Sequence, residues 1–469
     1  EPNPFVQLLW EKGTQHEKRV IEKIGGFEDL SIGSQEDRFN NTIDAMKAEV
    51  PLIYQGLLMN DILLGVPDLL RINPDKSYSP IDIKSGAGVE GMEYGDEEGK
   101  LKEHYAVQLC LYADLLISLG FSDKKVGFII DIHGNEITYQ LTTPINSKNS
   151  KTFWDSYEEI IKIVSSIIQG KLKNKPALSG VCKLCGWVSS CKKWCEEQDD
   201  LTRIFYLGRA QRDKINDELE IGKVKSFCDL DIPEILERKK KDKAFLKGLA
   251  EKTLVKYRER AKLISENGPP VLYGEISFPK VPFELFFDIE DDPTQDFVYM
   301  HGVYERGPSG EKYFDFTATE VSPEAEKAAW KAFWDYIKTL PRGEFATYYY
   351  SHHEKTVYKR LLRCYPDVIS DSDLEDFFND PNTIDLYKIV QGQTDWPLSS
   401  YSIKEIATYL GFSWRDETPS GALSIQWFNE YLKNKDPSVL KRIREYNEDD
   451  CKATKVVKDG IQRLADGRK

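Results

Sequence analysis

Three sets of side chains in this sequence have the types and spacing that chemistry needs. In the first, Asp68 follows Pro67 at an apolar run, and Asp82-Ile83-Lys84 closes the next apolar run. Alternate residues of a strand share a face, so Asp82 and Lys84 point the same way and Asp68 on a neighbouring strand can join them. With His16, at the end of Gly13-Thr-Gln-His16, two carboxylates and an imidazole form a mixed oxygen and nitrogen set for Mg²⁺ or Mn²⁺. Such a cation polarises a phosphodiester and lowers the pKa of an attacking water. Lys84 would steady that water or the developing charge. Gln108 and Tyr112, at i and i+4 of a helix, face one direction and suit contacts to a substrate strand. Taken alone, Asp82 and Lys84 read as an ion pair on a solvated face, worth ~0–1 kcal/mol. Taken alone, His16 reads as a helix-surface residue.

The second set begins at Phe286-Phe287-Asp288-Ile289-Glu290, an apolar strand ending in two acids on one face. Far downstream, Tyr446-Asn-Glu-Asp-Asp450 opens a helix that runs to the C-terminus. Asp450 and one more acid would complete a four-carboxylate cage for two metals ~4 Å apart, which stabilises both the attacking and the leaving oxygen. Tyr446, one helical turn before Asp450, shares its face and can orient the water. Asp449 reads as solvated, and the tyrosines at 348–350 as ordinary strand composition.

The third set is Cys182-x2-Cys185-x5-Cys191-x3-Cys195. Thiolates at that spacing clamp Zn²⁺ tetrahedrally or hold an iron–sulfur cluster. The other four cysteines, at 110, 228, 364 and 451, stand singly in apolar surroundings. That is not the spread of a disulfide scaffold, and it reads as an intracellular, cytoplasmic protein with one metal or cluster site.

The elements that must hold these residues fall into three segments. The first has a helix over 15–24, strands over 61–65 and 67–72, a turn at Asn73-Pro-Asp-Lys-Ser77, and a returning strand over 79–84. A helix over 103–119, a strand over 125–131, a hairpin turn at His133-Gly134-Asn135 and an amphipathic helix over 150–169 follow. The second segment, 200 to about 268, is helical and basic, with 11 Lys/Arg against 3 Asp/Glu between Arg238 and Lys262. A basic helix face suits phosphate contacts without sequence readout, and it equally suits plain solvation. Asn267-Gly-Pro-Pro270 ends it. The third segment restarts with strands over 283–290, 297–304 and 312–317, then a helix with Trp330 and Trp334 on one side, a strand over 344–350, and mostly helix to the end. The fold class is therefore α/β, in several domains.

His16, Pro67-Asp68, Asp82-x-Lys84 and Gln108-x3-Tyr112 stand in the order of the RecB-like branch of the PD-(D/E)XK nucleases, which the first segment resembles. The resemblance implies a restriction-endonuclease-like core over 1–198 with a cysteine-rich C-terminal segment. In that family, Cys182, Cys185 and Cys191 would be three ligands of a 4Fe–4S cluster whose fourth ligand lies ahead of the first helix. Here the chain starts at Glu1, so the fourth thiolate is expected from a preceding segment or from Cys195, in which case Zn²⁺ is the alternative. Asp288-x-Glu290 with Tyr446-x3-Asp450 resembles the tyrosine subclass of DnaQ-like (DEDD) exonucleases, which implies an RNase H-like domain over 271–469. The family's third acid is an Asp, and Glu354 holds the matching place after His352-His353. Asp385 is the second candidate, at a position that is normally structural. The spacer 199–270 is similar, loosely, to helix–hairpin–helix modules. The whole order resembles the N-terminal half of RecB-like nuclease–helicase proteins.

The chain has 469 residues, 64 Lys+Arg and 78 Asp+Glu, and a formal charge of −14. Its 40% hydrophobic content suffices for packed cores and argues against disorder. The acidic balance disfavours a coat protein that binds by bulk charge, and does not disfavour an enzyme that holds divalent metals. No apolar run approaches the ~18 residues of a membrane span, and the Glu1-Pro2-Asn3-Pro4 opening lacks a signal peptide's basic and apolar regions. The missing initiator Met suggests a fragment. No Gly-x4-Gly-Lys-Ser/Thr is present, so a helicase is expected beyond the C-terminus or as a partner. These readings converge on an Mg²⁺- or Mn²⁺-dependent nuclease. It would cut single-stranded or unwound DNA in repair, recombination or defence, with a second 3′–5′ exonuclease-like site. The alternatives are a non-catalytic nucleic-acid clamp and an RNA exonuclease at the C-terminal site, since sugar discrimination rests on 2′-OH contacts.

Overall fold

Every residue of the strand Tyr78–Ile83 is buried in the computed structural model, which describes residues 4–90, 99–146 and 149–467. Leu69–Ile72 pairs with it antiparallel and Val126–Ile130 parallel. The parallel pairing starts at Ile81, past Pro80, whose ring nitrogen has no hydrogen to give. The full sheet runs Glu28–Asp29, Leu52–Tyr54, Leu69–Ile72, Tyr78–Ile83, Val126–Ile130, Glu136–Gln140. The hairpin expected at residues 133–135 closes the last pair, with Gly134 at φ 82°. The expected strand over 61–65 is reduced to Leu64–Gly65, paired with Leu58–Met59.

Helix Glu103–Ser118 buries Ala106, Leu109, Tyr112, Ala113 and Leu116 against this sheet. Two glycines let it lie close. A Cβ on Gly127 would stand 2.9 Å from Leu109, and one on Gly65 2.8 Å from Tyr112. Helix Phe153–Ile168 starts on a capping box, in which Thr152 and Asp155 satisfy each other's backbone N–H groups. These elements form one compact unit, Leu8–Asn174.

The second compact unit contains residues from Lys175 onward, so the four-cysteine segment belongs to it. Helices Arg209–Leu219, Val224–Phe227, Ile232–Lys241 and Glu251–Glu266 enclose a core that includes Ile215, Phe227, Ile235, Leu246 and Leu254. The basic run is therefore amphipathic, with its apolar positions inside. This helical set is tied to the C-terminal sheet region by a buried ion pair, Arg260 Nε to Asp395 Oδ1 at 2.7 Å. Tyr273 donates to the other Asp395 oxygen at 2.9 Å.

The C-terminal sheet has the order Gly310–Thr317, Phe297–Gly307, Phe283–Asp292, Phe345–Tyr349, Thr383–Asp385. Its first three strands are antiparallel, and the last two join parallel to the centre. Trp330 and Trp334 of helix Pro323–Ile337 bury against Phe287, Phe333 and Tyr358 on one face. The thirty-residue helix Pro437–Asp466 covers the other, started by Asp436 as cap and Pro437 in its first turn. No helix among the described residues is long and apolar enough to cross a membrane.

Candidate functional site

In the first unit, Asp68, Asp82, Lys84, Gln108 and Tyr112 sit in one connected patch. Asp68 Oδ2 accepts from the Ile83 amide at 2.7 Å. Lys84 pairs with Asp82 and donates to Gln108 Oε1 at 2.8 Å, and Gln108 Nε2 donates to the Tyr112 hydroxyl at 2.7 Å. Asp82 is only 2% exposed, so this ion pair is not on a solvated face. The oxygen that Lys84 meets, Oδ2, is fully buried. Burial, with Asp82 and Glu17 nearby, holds the Asp68 carboxyl well above the usual carboxylate range.

His16 does not join these acids in a set of close ligand atoms. It faces Ile130 and His133, its Nε2 is buried without a partner, and burial followed by Arg19 lowers its pKa. The next residue, Glu17, is the acid that approaches Asp68. Gln55 Nε2 donates to Glu17 Oε1 at 2.8 Å and to Asp68 Oδ1 at 3.1 Å, so one amide spans both carboxylates. Sequence reading passed over Glu17. Its place one residue along the same helix turns it about 100° away from His16.

The cysteines are not gathered. Cys182, Cys185, Cys191 and Cys195 are free, and no three of their sulfurs lie within 4.8 Å of one another. Cys191 and Cys195 lie one turn apart on helix Val188–Glu197, but Cys195 is fully buried, with Thr202 Oγ1 at 3.8 Å from its sulfur. Cys185 is exposed. As they stand, no three of these sulfurs are close enough to share a single zinc ion.

In the second unit, Asp288, Glu290 and Asp450 each present a carboxylate oxygen within 4.8 Å of the others. Among the described residues no other group of three or more His, Cys, Asp or Glu does so. Strand Phe283–Asp292 supplies the first two on one face, and helix Pro437–Asp466 supplies the third. Trp414 Nε1 donates to Asp450 Oδ1 at 2.7 Å. Asn447 Nδ2 lies between the strand acids, 3.0 Å from Asp288 Oδ2 and 3.2 Å from Glu290 Oε1. Tyr313 donates to its Oδ1 at 2.8 Å. Gly302 makes room, since a Cβ there would collide with Asn447 Oδ1. A glycine inside a strand is the sequence signal of such a close approach.

Burial is the main force on these acids. It pushes Glu290 up to about 8, aided by Asp450, and holds Asp288 well above its usual range, aided by Asp450 and then Glu290. Three carboxylates packed out of water are unfavourable unless protonated or neutralised by a cation. Glu354 lies near enough to raise Asp288 further, although outside the tight group. It sits in the first turn of helix His353–Cys364, and its buried Oε2 has no partner. Asp385 is spent differently. Its Oδ1 caps helix Leu386–Gln393, accepting from Tyr387 N, Lys388 N and Ser351 N, so its backbone role is structural. Asp449 is buried rather than solvated, held by the Arg415 backbone N at 2.8 Å and its Nε at 3.0 Å.

Residues 285–462 match the family model of the RNase_H superfamily. This part of the chain is an RNase H-like domain. No curated protein and no solved structure matches the chain. The RNase H-like domain contains the whole acidic group, from Asp288 to Asp450, and its donor set suits a hard divalent cation such as Mg²⁺ or Mn²⁺. The domain points to nuclease or other nucleic-acid-processing activity. Lys404, in Tyr401-Ser-Ile-Lys404, donates to the Tyr446 hydroxyl at 3.1 Å.

Proposed function

We propose that this chain is a metal-dependent nuclease that hydrolyses phosphodiester bonds of single-stranded or unwound DNA. The RNase H-like domain would trim 3′ ends, and the first unit would act as a RecB-like PD-(D/E)XK nuclease. The observation that carries the proposal is the convergence of Asp288, Glu290 and Asp450 inside the RNase H-like domain. These three, with Glu354 as fourth acid, would hold Mg²⁺ or Mn²⁺. A bound cation there supplies charge opposite the phosphoryl oxygens and lowers the pKa of an attacking water. The chain's own groups provide orientation: the Tyr446 hydroxyl beside Asp450 positions the water, and Trp414 fixes the Asp450 carboxylate.

In the first unit, Asp68 and Asp82, joined by Glu17 in place of His16, would hold the cation. Lys84 would donate to the developing charge, and Gln108 and Tyr112 would steer the strand. The connected hydrogen bonds from Asp82 through Lys84 and Gln108 to Tyr112 support this reading. A helicase, in cis or in trans, would deliver the unwound strand, and repair, recombination or defence is the setting that such a substrate implies.

One observation favours a second reading, a non-catalytic clamp. The Asn447 amide spans Asp288 and Glu290 and holds both strand acids from the protein side. Strand shortening separates the readings. With 5′-labelled single-stranded DNA and Mn²⁺, the nuclease gives a ladder that shortens from the 3′ end and stops on chelation. The clamp gives a metal-independent gel shift and an intact label under both Mg²⁺ and Mn²⁺.

A further inference from the structure

Lys404 opens the short helix Ile403–Tyr409, which Ser402 caps. Its ammonium makes two hydrogen bonds, to the Pro419 carbonyl at 2.6 Å and to the Tyr446 hydroxyl at 3.1 Å. It also lies 5.1 Å from the centre of the Tyr446 ring and 5.9 Å from that of Trp414. These contacts place it by carbonyl, hydroxyl and ring faces together, an unusual degree of fixation for a lysine.

The consequence lies at the tyrosine. A phenol has one proton and a limited set of acceptor positions. An ammonium has no acceptor, so the Tyr446 oxygen must accept from Lys404. The hydroxyl proton is then left to a different acceptor, and Asp450 lies one turn along the same helix. Trp414 holds the other side of the same carboxylate at 2.7 Å. Two donors therefore fix this corner of the site, Lys404 on the Tyr446 oxygen and Trp414 on Asp450. A hydroxyl without Lys404 could rotate its proton toward the water it has to hold.

We propose that Lys404 is a positioning residue of the RNase H-like site, holding the Tyr446 oxygen as an acceptor and so fixing the direction of its hydroxyl. This rests on the exonuclease reading above. Lys404 acts through Tyr446 and not by touching substrate.

The test uses the full chain carrying Asp82→Ala, so that only the RNase H-like site can trim a labelled strand with Mn²⁺. Lys404→Met, Lys404→Arg, Tyr446→Phe and Lys404→Met/Tyr446→Phe are compared under single-turnover and steady-state conditions. Lys404→Met is expected to lower kcat roughly ten-fold, the scale of a lost orientation, with KM within about two-fold. Lys404→Arg should recover most of the rate. The double variant should be no slower than Tyr446→Phe, because the lysine has nothing left to position. Two readouts do not depend on turnover. The Tyr446 Cζ signal in ¹³C-tyrosine spectra, assigned by its loss in Tyr446→Phe, should move in Lys404→Met. Mn²⁺ affinity by calorimetry should not weaken. A further ten-fold loss on the Tyr446→Phe background overturns the inference, as does a rise in KM at constant kcat, an unmoved Tyr446 signal or a weakened Mn²⁺ affinity. If the Asp82→Ala parent trims neither DNA nor RNA, the exonuclease reading fails and the inference with it. An active parent that is indifferent to Lys404→Met sinks the inference alone.

Discussion

Glu354 is held by the fold as a protonated acid at neutral pH in the metal-free chain. It is 3% exposed, its Oε2 has no hydrogen-bond partner, and burial pushes its carboxyl from 4.5 up to about 8. Between these values the metal-free folded chain holds a proton that the unfolded chain has released. Stability must therefore fall as pH rises from about 5, and level off above about 8. A shift of that size corresponds to about 4 kcal/mol of lost stability by pH 8, and less than about 1 kcal/mol at pH 5. Glu354→Gln keeps the shape and removes the ionisation. In chelator, the variant should match the parent near pH 5 and exceed it at pH 8, by roughly 10 °C in melting temperature for a domain of this size. Mn²⁺ at pH 8 should narrow that gap, because the carboxylate then has a cation to face. Thermal unfolding across pH 5 to 8.5, with and without Mn²⁺, reads all of this. A difference between variant and parent that stays flat with pH, or a variant less stable at pH 8, would refute the reasoning.

Three further outcomes are expected. Arg260→Met leaves Asp395, itself fully buried, with an unpaired charge, and should cost about 3–5 kcal/mol in urea unfolding. Adding Asp395→Asn should recover part of that loss, and a purely additive loss would speak against the pair. Gly302→Ala pushes a methyl into the space of Asn447 Oδ1, and should lower trimming at least ten-fold while circular dichroism stays native-like. Unchanged trimming would show that Asn447 does not order the acids. Glu17→Gln, in a chain carrying Asp288→Ala, should weaken Mn²⁺ binding at the first unit about ten-fold in calorimetry, a scale set by loss of one anionic ligand. His16→Ala should weaken it less, and the reverse order would restore His16 as the ligand.

Much of the C-terminal architecture was legible because its signals are strong. The runs 283–290, 297–304 and 344–350 are long, apolar and rich in aromatic residues, and each lies within or beside an observed strand. Trp330 and Trp334 fall on the buried side of their helix, as their spacing predicts. Asp288 and Glu290 share a strand face by simple alternation, and that face is where Asp450 arrives. What was not legible depends on tertiary approach. Thr383–Asp385 is only three residues long, too short for periodicity to mark, and becomes a strand because Phe345–Tyr349 offers a parallel edge. Asp385 looks like a ligand in sequence, but its oxygen is taken by three backbone N–H groups of a turn and a helix start. Asp449 differs from Asp450 by one position on a helix, and its burial follows from Arg415, thirty-four residues earlier. The choice between His16 and Glu17 turns on helix rotation against the sheet, which no local pattern specifies. The cysteine spacing is regular, yet Cys195 faces the helical core at Thr202, because its helix must bury one side.

Whether the acids of this chain cut nucleic acid is tested by comparing four forms of it. The unsubstituted chain, Asp82→Ala, Asp288→Ala and the double variant are incubated with end-labelled single-stranded DNA and Mg²⁺ or Mn²⁺, then resolved at nucleotide resolution. The parent is expected to degrade the strand, Asp288→Ala to lose the 3′-end ladder, Asp82→Ala to lose the remaining cuts, and the double variant to leave the label intact. An intact label with the parent under both metals, while the strand is still bound, would contradict that expectation.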